Sequence, residues 1–279
     1  MSGSLKTRVR RALPLDVRLR AAAWLTRQRW LPLGDHVAIG LIRDLQASDP
    51  KHFHKFAWTH HLMGYARWYD SEEELFAPEQ MQPSRLEIFR DLTSVLNEDL
   101  PPAPVASILE VGCSQGYILR HLETQVFPEC TDLVGIDIDG PAIGKGQRYL
   151  AAAGSRVRLM QGDMEDLDAL IGARTFDVTL AAGVLSYLDE ADATAMVSRI
   201  LQRTNRVMAV AGLACVDRDN RTLERSIPSP AHEGQWIHNF DAMIGAAGGR
   251  VIRSRWEGGK LYNLQTLCSA FAIPRGSPR

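Results

Sequence analysis

The stretch SILEVGCSQGYIL, Ser107 to Leu119, decides how this chain is read. Its centre, Gly112-Cys113-Ser114-Gln115-Gly116, is a literal G-x-S-x-G, the sharp strand-to-helix turn that exposes a nucleophilic serine in hydrolases. With Glu110 in front, it is equally a glycine loop between a strand and a helix, where backbone can approach a ligand closely. Ser114 is a nucleophile in the first reading and a spacer in the second. The surroundings must separate the two.

Pro101-Pro102-Ala103-Pro104 divides the chain, because consecutive prolines favour extended backbone and stop a helix. Before it the sequence reads as helical. Aromatics and histidines crowd Phe53 to Tyr69, and Arg85 to Leu96 carries Leu86, Phe89, Leu92, Val95 and Leu96 at helical spacing. After it, strands alternate with helices. Ser107–Val111, Leu133–Ile136, Val157–Met160, Phe176–Ala181 and Val207–Leu213 are apolar, β-branched runs. Helices are predicted between them, one opened by Pro141 and closed by Gly154. A further helix carries Trp236, Phe240, Met243, Ile244 and Ala247 and ends at Gly248-Gly249. Two last strands, Val251–Trp256 and Leu264–Ala272, are separated by Glu257-Gly258-Gly259-Lys260, which suits a turn. The pattern predicts an α/β fold: a doubly wound, mostly parallel seven-stranded sheet with one strand reversed at the edge. Residues 1–104 are then a helical N-terminal extension or lid, and residues 105–279 the sheet domain.

Composition agrees. Hydrophobic residues make up 45% of the 279 and charged residues 23%, as in an ordinary globular protein. The net charge of -1 gives no overall field to recruit nucleic acid. No apolar run approaches the roughly 18 residues that span a bilayer. Cys113, Cys130, Cys215 and Cys268 are scattered with no C-x-x-C pair, so reduced thiols and a cytoplasmic location are expected, with Cys113 a small buried residue. Lys6, Arg8, Arg10, Arg11, Arg18, Arg20, Arg27 and Arg29 face only Asp16 before Leu31. That is the look of a transit peptide or an interfacial helix. The segment is poor in serine and its apolar residues fall on no single helical face. An ordinary surface helix is the expectation, and membrane-surface contact the alternative.

A hydrolase elbow normally follows several strands, whereas this loop follows the first one, and no H-G-G-like segment lies upstream. Asp217 or Asp219 and then His232 or His238 keep the order Ser…Asp…His available. A nucleotide-type loop makes a further demand: an acid about 20 residues on, ending the second strand, to hold ribose hydroxyls. Gly116 to Asp137 is 21 positions, and Asp137 ends the run Leu133–Ile136. Asp139 lies past the strand, where it suits a helix cap. Gly112-x-Ser114-x-x-Tyr117 replaces two of the three glycines of the dinucleotide loop, so a ligand without phosphates fits better than NAD.

With these residues in place, Ser107 to Ala272 resembles a class I S-adenosylmethionine-dependent methyltransferase. Glu110-Val111-Gly112-Cys113-Ser114-Gln115-Gly116 resembles the family's first motif, with Ser114 in place of the usual central glycine. Gly135-Ile136-Asp137-Ile138 resembles the second, which implies Asp137 on the ribose hydroxyls and Ile138 beside the adenine. Gly162-Asp163-Met164 resembles the third, which implies Asp163 as acceptor of the adenine amino group. Phe176-Asp177-Val178 with Ala181-Ala182-Gly183-Val184-Leu185 resembles the fourth strand, whose exit around Ala181 and Gly183 lines the methionine pocket. The implied cofactor is S-adenosylmethionine, and Ser114 becomes a loop residue.

Tyr65-Ala66-Arg67-Trp68-Tyr69-Asp70 resembles a Y-x-x-x-Y-D lead-in of many such enzymes, in which an aromatic reaches over the cofactor tail. Tyr65, Trp68 and Tyr187 are therefore candidate substrate-binding residues. The expected acceptor is a hydroxyl of a small molecule, a sugar or secondary metabolite, since mixed charges argue against nucleic acid. A hydroxyl needs a general base, and His232 and His238 follow the fifth strand on the acceptor side. His52, His54, His60 and His61 lack a carboxylate or cysteine to complete a metal site, so no metal is expected. The competing readings are a serine hydrolase using Ser114 and a non-catalytic cofactor-binding partner subunit.

Overall fold

Ile108, Leu109 and Val111 are fully buried because β1 (Ser107–Val111) runs through the middle of a seven-stranded sheet. The computed structural model describes residues 13–28, 33–62, 76–262 and 265–274. β2 (Asp132–Asp137), β3 (Val157–Gln161), β4 (Phe176–Ala182) and β5 (Thr204–Gly212) join β1 in parallel, in the order β3-β2-β1-β4-β5. β6 (Ile227–Pro228) and β7 (Trp236–Ile237) form a separate small hairpin. β8 (Gly249–Tyr262) and β9 (Gln265–Pro274) complete the sheet, with β9 antiparallel between β5 and β8. The reversed strand is thus one position in from the edge, not at the edge itself.

Glu257-Gly258-Gly259-Lys260, expected as a turn, lies inside β8. Pairing passes from Glu257↔Leu267 to Tyr262↔Gln265, so the glycine pair forms a bulge rather than a reversal. A Cβ on Gly258 would lie 2.0 Å from the Cys215 carbonyl oxygen, so here the glycine serves a close backbone approach.

Helices cover both faces because alternate strand residues point to opposite sides. On one face Ile108, Leu133, Val178 and Val207 meet α5 (Pro83–Ser94), α6 (Tyr117–His121) and α7 (Gly140–Ala152) through Leu92, Leu119, Ile143 and Leu150. On the other, Leu109, Val134, Phe176 and Met208 meet α8 (Leu167–Ile171), α9 (Glu190–Gln202) and α10 (Phe240–Ala246) through Ile171, Ile200 and Ile244. Asp139, Asp189 and Asn239 start α7, α9 and α10 by accepting the amides of Ala142, Asp192 and Ala242. Trp236 does not belong to α10: it pairs with Pro228 in the hairpin.

Residues Phe76, Met81 and Ile88 to Leu96 pack into the core of the sheet, although the sequence groups them with the N-terminal extension. Arg255 of β8 fixes α5 further, its Nε and Nη2 reaching the two oxygens of Asp91 at 2.6 and 2.8 Å. The remaining N-terminal helices, α1 (Leu15–Arg27), α2 (Gly34–Ile42), α3 (Leu45–Ser48) and α4 (Pro50–Thr59), build a small core of their own around Ala22, Ala38, Ile42, Leu45 and Phe53.

Candidate cofactor and acceptor site

The connections leave β1 and β4 in opposite directions, which opens a crevice at the carboxyl ends of these strands. The glycine loop is folded over the end of β2. Gly112 and Cys113 both donate their amides to the Ile136 carbonyl, at 2.8 and 3.1 Å. Ser114 donates its amide to Asp137 Oδ2 at 2.7 Å, and Asp139 donates to Asp137 Oδ1 at 2.9 Å. One carboxylate therefore holds the two loops together, and its oxygens retain lone pairs for a ligand diol. Gly112, Ser114 and Gly116 have φ of 79°, 50° and 81°, so Ser114 occupies a left-handed position that favours glycine. α7 leans directly on this loop: a Cβ on Gly146 would lie 2.1 Å from the Gln115 carbonyl oxygen.

Glu110 is buried at the end of β1, and its Oε2 has no hydrogen-bond partner among the described residues. Burial pushes its carboxyl up to about 8, against the pull of the Arg85 guanidinium. Arg85, at the start of α5, donates from Nη2 to the Ala182 carbonyl at 3.0 Å and lines the same cavity. Asp137 is also raised by burial, with the Asp139 and Ser114 amides opposing the shift. An unsatisfied buried carboxylate beside a guanidinium suits a zwitterion, with ammonium on Glu110 and carboxylate on Arg85.

α4 roofs the crevice. Lys51, His54, Lys55 and Trp58, at i, i+3, i+4 and i+7 of the helix, form the face that lines the cavity. Lys55 Nζ lies 2.5 Å from Asp163 Oδ2 and 2.8 Å from Glu165 Oε2. Lys51 Nζ lies 2.6 Å from Glu165 Oε1 and 2.7 Å from Asp192 Oδ2. Beneath the roof, Tyr187 packs against His54 and Trp58 with ring centroids 4.8 and 5.7 Å apart. Burial lowers the His54 imidazole to about 4, partly offset by the backbone of Gly234 and Glu233. Trp58 Nε1 and Ser186 Oγ are buried without hydrogen-bond partners among the described residues.

The structure brings Glu110, Gly112, Ser114, Asp137, Ile138, Asp163, Met164, Gly183 and Tyr187 to this one cavity. Gly116 stands behind it as the residue that opens α6, and Ala181 is buried within β4. Tyr65, Trp68 and the surrounding lead-in motif lie outside the described residues. The two candidate bases are elsewhere. His238 precedes α10 rather than lying on it, and it is fully buried. Its Nδ1 pairs with Ser226 Oγ at 2.7 Å and its Nε2 with the Leu185 carbonyl at 3.0 Å. Both nitrogens are thus engaged, Nδ1 on the segment after β5 and Nε2 on the loop after β4. His232 sits half-buried in the β6–β7 loop and is not part of the cavity wall. Arg85, Lys51, Lys55 and Trp58 were not among the candidate site residues and His54 was weighed only as a metal ligand, although the α4 spacing carried a readable signal for four of the five.

Ser114 makes no hydrogen bond to a histidine among the described residues, and His238 has no ring nitrogen to offer it. The donor set fits S-adenosylmethionine instead. Asp137 would hold the ribose diol, Glu110 and Arg85 the amino-acid tail, and Ile136, Ile138 and Met164 offer apolar surface to the adenine. Gly112 lets the loop pack closely on the exit of β4: a Cβ there would meet Val184 at 2.6 Å.

Residues 108–206 match the family model described as a methyltransferase domain. No curated protein matches the chain. A S-adenosylmethionine-dependent methyltransferase from Clostridium acetobutylicum is similar in structure at 12% identity, covering 76% of this chain and 98% of that one with a TM-score of 0.53. The magnesium protoporphyrin IX methyltransferase of Synechocystis PCC 6803, with S-adenosylmethionine bound, is similar at 15% identity, covering 81% and 97% with a TM-score of 0.54. The CcbJ methyltransferase of Streptomyces caelestis is similar at 14% identity, covering 71% and 92% with a TM-score of 0.51. At such identities the likeness is one of fold.

Proposed function

We propose that this chain, which carries a class I S-adenosylmethionine-dependent methyltransferase domain, methylates a hydroxyl of a small molecule held between α4 and the loop after β4. The cofactor supplies an activated methyl group, and the chain's own residues must align the acceptor, exclude water and take a proton. The observation that carries the proposal is His54, a neutral imidazole on the cavity wall beside Tyr187. Burial keeps the ring unprotonated near neutral pH and also makes it a weaker base than an ordinary imidazole, so its place on the cavity wall beside Tyr187, where an acceptor hydroxyl would meet it, supports the role of proton acceptor. The role first assigned to His232 or His238 moves to His54 in this reading.

An alcohol fits the wall better than an ammonium. Of the carboxylates lining the cavity, Glu110 and Asp137 belong to the glycine-loop side, and Asp163 and Glu165 are neutralised by Lys51 and Lys55. The half around Trp58, Tyr187, Leu213, Gln235 and Thr266 presents no carboxylate. Trp58 Nε1 and Ser186 Oγ can hydrogen-bond an acceptor oxygen there.

The test is methyl transfer to a panel of phenols, sugars and amines, followed by mass spectrometry of the product. His54→Ala should lower turnover on the preferred acceptor by roughly 10²–10⁴-fold while product-cofactor affinity survives. An N-methylated product, or full turnover in the variant, contradicts the proposal.

A further inference from the structure

The roof helix α4 ends on a backbone conformation that its sequence does not favour. His61 has φ of 55°, and it and Ser114 are the two residues other than glycine with left-handed backbone among the described residues. The hydrogen bonds around it identify the turn. His61 donates its amide to the Trp58 carbonyl at 3.0 Å, and Leu62 donates to the Ala57 carbonyl at 2.8 Å. This pair of bonds closes a Schellman motif, in which glycine is the usual occupant of the left-handed position. A Cβ there crowds the backbone, so the turn itself gains nothing from a side chain at residue 61. The imidazole answers to a different contact.

That contact is Asp139. His61 Nδ1 lies 2.7 Å from Asp139 Oδ2, and because a carboxylate only accepts, the ring nitrogen is the donor. Asp139 is buried, and its other oxygen accepts the Ala142 amide at 3.0 Å where α7 begins. A buried carboxylate needs such partners, and here each oxygen has one. Held at both oxygens, Asp139 presents its own amide to Asp137 Oδ1 at 2.9 Å. The opposite oxygen of Asp137 receives the Ser114 amide at 2.7 Å. The two left-handed residues thus converge on one carboxylate, Ser114 directly and His61 through Asp139.

We propose that His61 is a positioning residue for the cofactor: acting through Asp139, it fixes the orientation in which Asp137 meets the ribose diol. The inference rests on Asp137 as the ribose site. Two hydrogen bonds to a diol demand a carboxylate held in one place, since such bonds weaken steeply when bent. Without the imidazole, Asp139 keeps only its α7 cap, and the turn from Asp137 to Asp139 gains freedom to move. The seat of the roof does not depend on this contact alone, because Lys51 and Lys55 bind α4 to Glu165, Asp163 and Asp192. Loss of His61 is therefore felt at Asp137 rather than as release of the helix.

The experiment compares His61→Gly with His61→Asn in the full chain, by calorimetry of S-adenosylhomocysteine and by amide hydrogen exchange without ligand. Glycine suits the turn and removes only the imidazole, so circular dichroism should be unchanged. Asparagine also adopts left-handed backbone, and its Nδ2 takes the place of the imidazole Nδ1 as donor. His61→Gly should bind S-adenosylhomocysteine roughly tenfold more weakly, the scale of one hydrogen bond to a charged group, while His61→Asn stays within about twofold of wild type. The Asp139 and Ser114 amides should exchange faster in the glycine variant and at the wild-type rate in the asparagine variant. A role confined to ending α4 predicts the reverse, with glycine harmless. Wild-type affinity in His61→Gly, an asparagine variant as weak as the glycine one, or unchanged exchange at Asp139 overturns the inference. Loss of the folded spectrum in His61→Gly makes the residue structural and overturns it as well. Failure of wild type itself to bind S-adenosylhomocysteine overturns the ribose site and this inference together, whereas the other outcomes leave the ribose site standing.

Discussion

Lys55 Nζ touches Asp163 Oδ2 at 2.5 Å, so the roof helix is clamped to the carboxylate at the end of β3 that the third motif assigns to the adenine. A ligand that meets Asp163 would therefore share that carboxylate with the roof helix. Partly exposed ion pairs contribute roughly 0.2–1 kcal/mol each. The double variant Lys51→Met, Lys55→Met should therefore release S-adenosylhomocysteine roughly threefold to tenfold faster in stopped-flow displacement. An unchanged dissociation rate would mean that α4 does not gate the cofactor.

Ser114 should tolerate glycine. Its φ of 50° is costly for a side chain by about 1–2 kcal/mol, while glycine loses more freedom on folding, and the two effects nearly cancel. Ser114→Gly should shift stability by less than about 1 kcal/mol in denaturant melts and retain methyl transfer. Labelling of wild-type Ser114 by a serine-directed phosphonate would revive the hydrolase reading.

Ser114 and Asp163 also mark where the sequence was legible. Gly112, Ser114, Asp137 and Asp163 belong to short segments that each end a strand; the loop pattern and its spacing pointed to the first three, and the family resemblance to Asp163. The α4 roof lies far from these motifs in the chain, and its contacts with Asp163, Glu165 and Asp192 are tertiary. No local pattern announces such pairs, even though the four cavity-facing residues keep helical spacing. His238 looked available because it follows the fifth strand on the expected acceptor side. In the fold it precedes the helix, and both its nitrogens are bonded. Glu257-Gly258-Gly259-Lys260 failed as a turn because Gly258 answers to Cys215 across the chain, a contact invisible in the local sequence.

Glu110 makes a prediction about protons. Its carboxyl lies near 8 in the folded chain against an ordinary 4.5, so the apo protein carries it largely protonated at pH 7. An arriving ammonium favours the ionised form, and binding should release a proton. Calorimetry of S-adenosylhomocysteine in buffers of different ionisation enthalpy measures this directly, and Glu110→Gln should abolish it. The raised value also means a stability contribution that is present below pH 4.5 and lost as pH rises through about 8. Apo Glu110→Gln should therefore lose less stability than wild type over that window.

His54 has the opposite sign. Its imidazole titrates near 4 when folded against 6.5 ordinarily, so its contribution is present above pH 6.5 and lost as pH falls toward 4. Thermal melts should show wild type losing more stability than His54→Asn across that interval. Parallel curves for the two proteins would place the ring in a solvated setting.

The central claim is that Asp137 and the glycine loop hold S-adenosylmethionine, and isothermal calorimetry tests it most directly. Wild type should bind S-adenosylhomocysteine and ignore NAD. Asp137→Ala, once shown by circular dichroism to be folded, should bind it more weakly by about 1.5–3 kcal/mol, the range for losing hydrogen bonds to a charged group. Unchanged affinity in that variant, or binding of NAD in preference, would contradict the account.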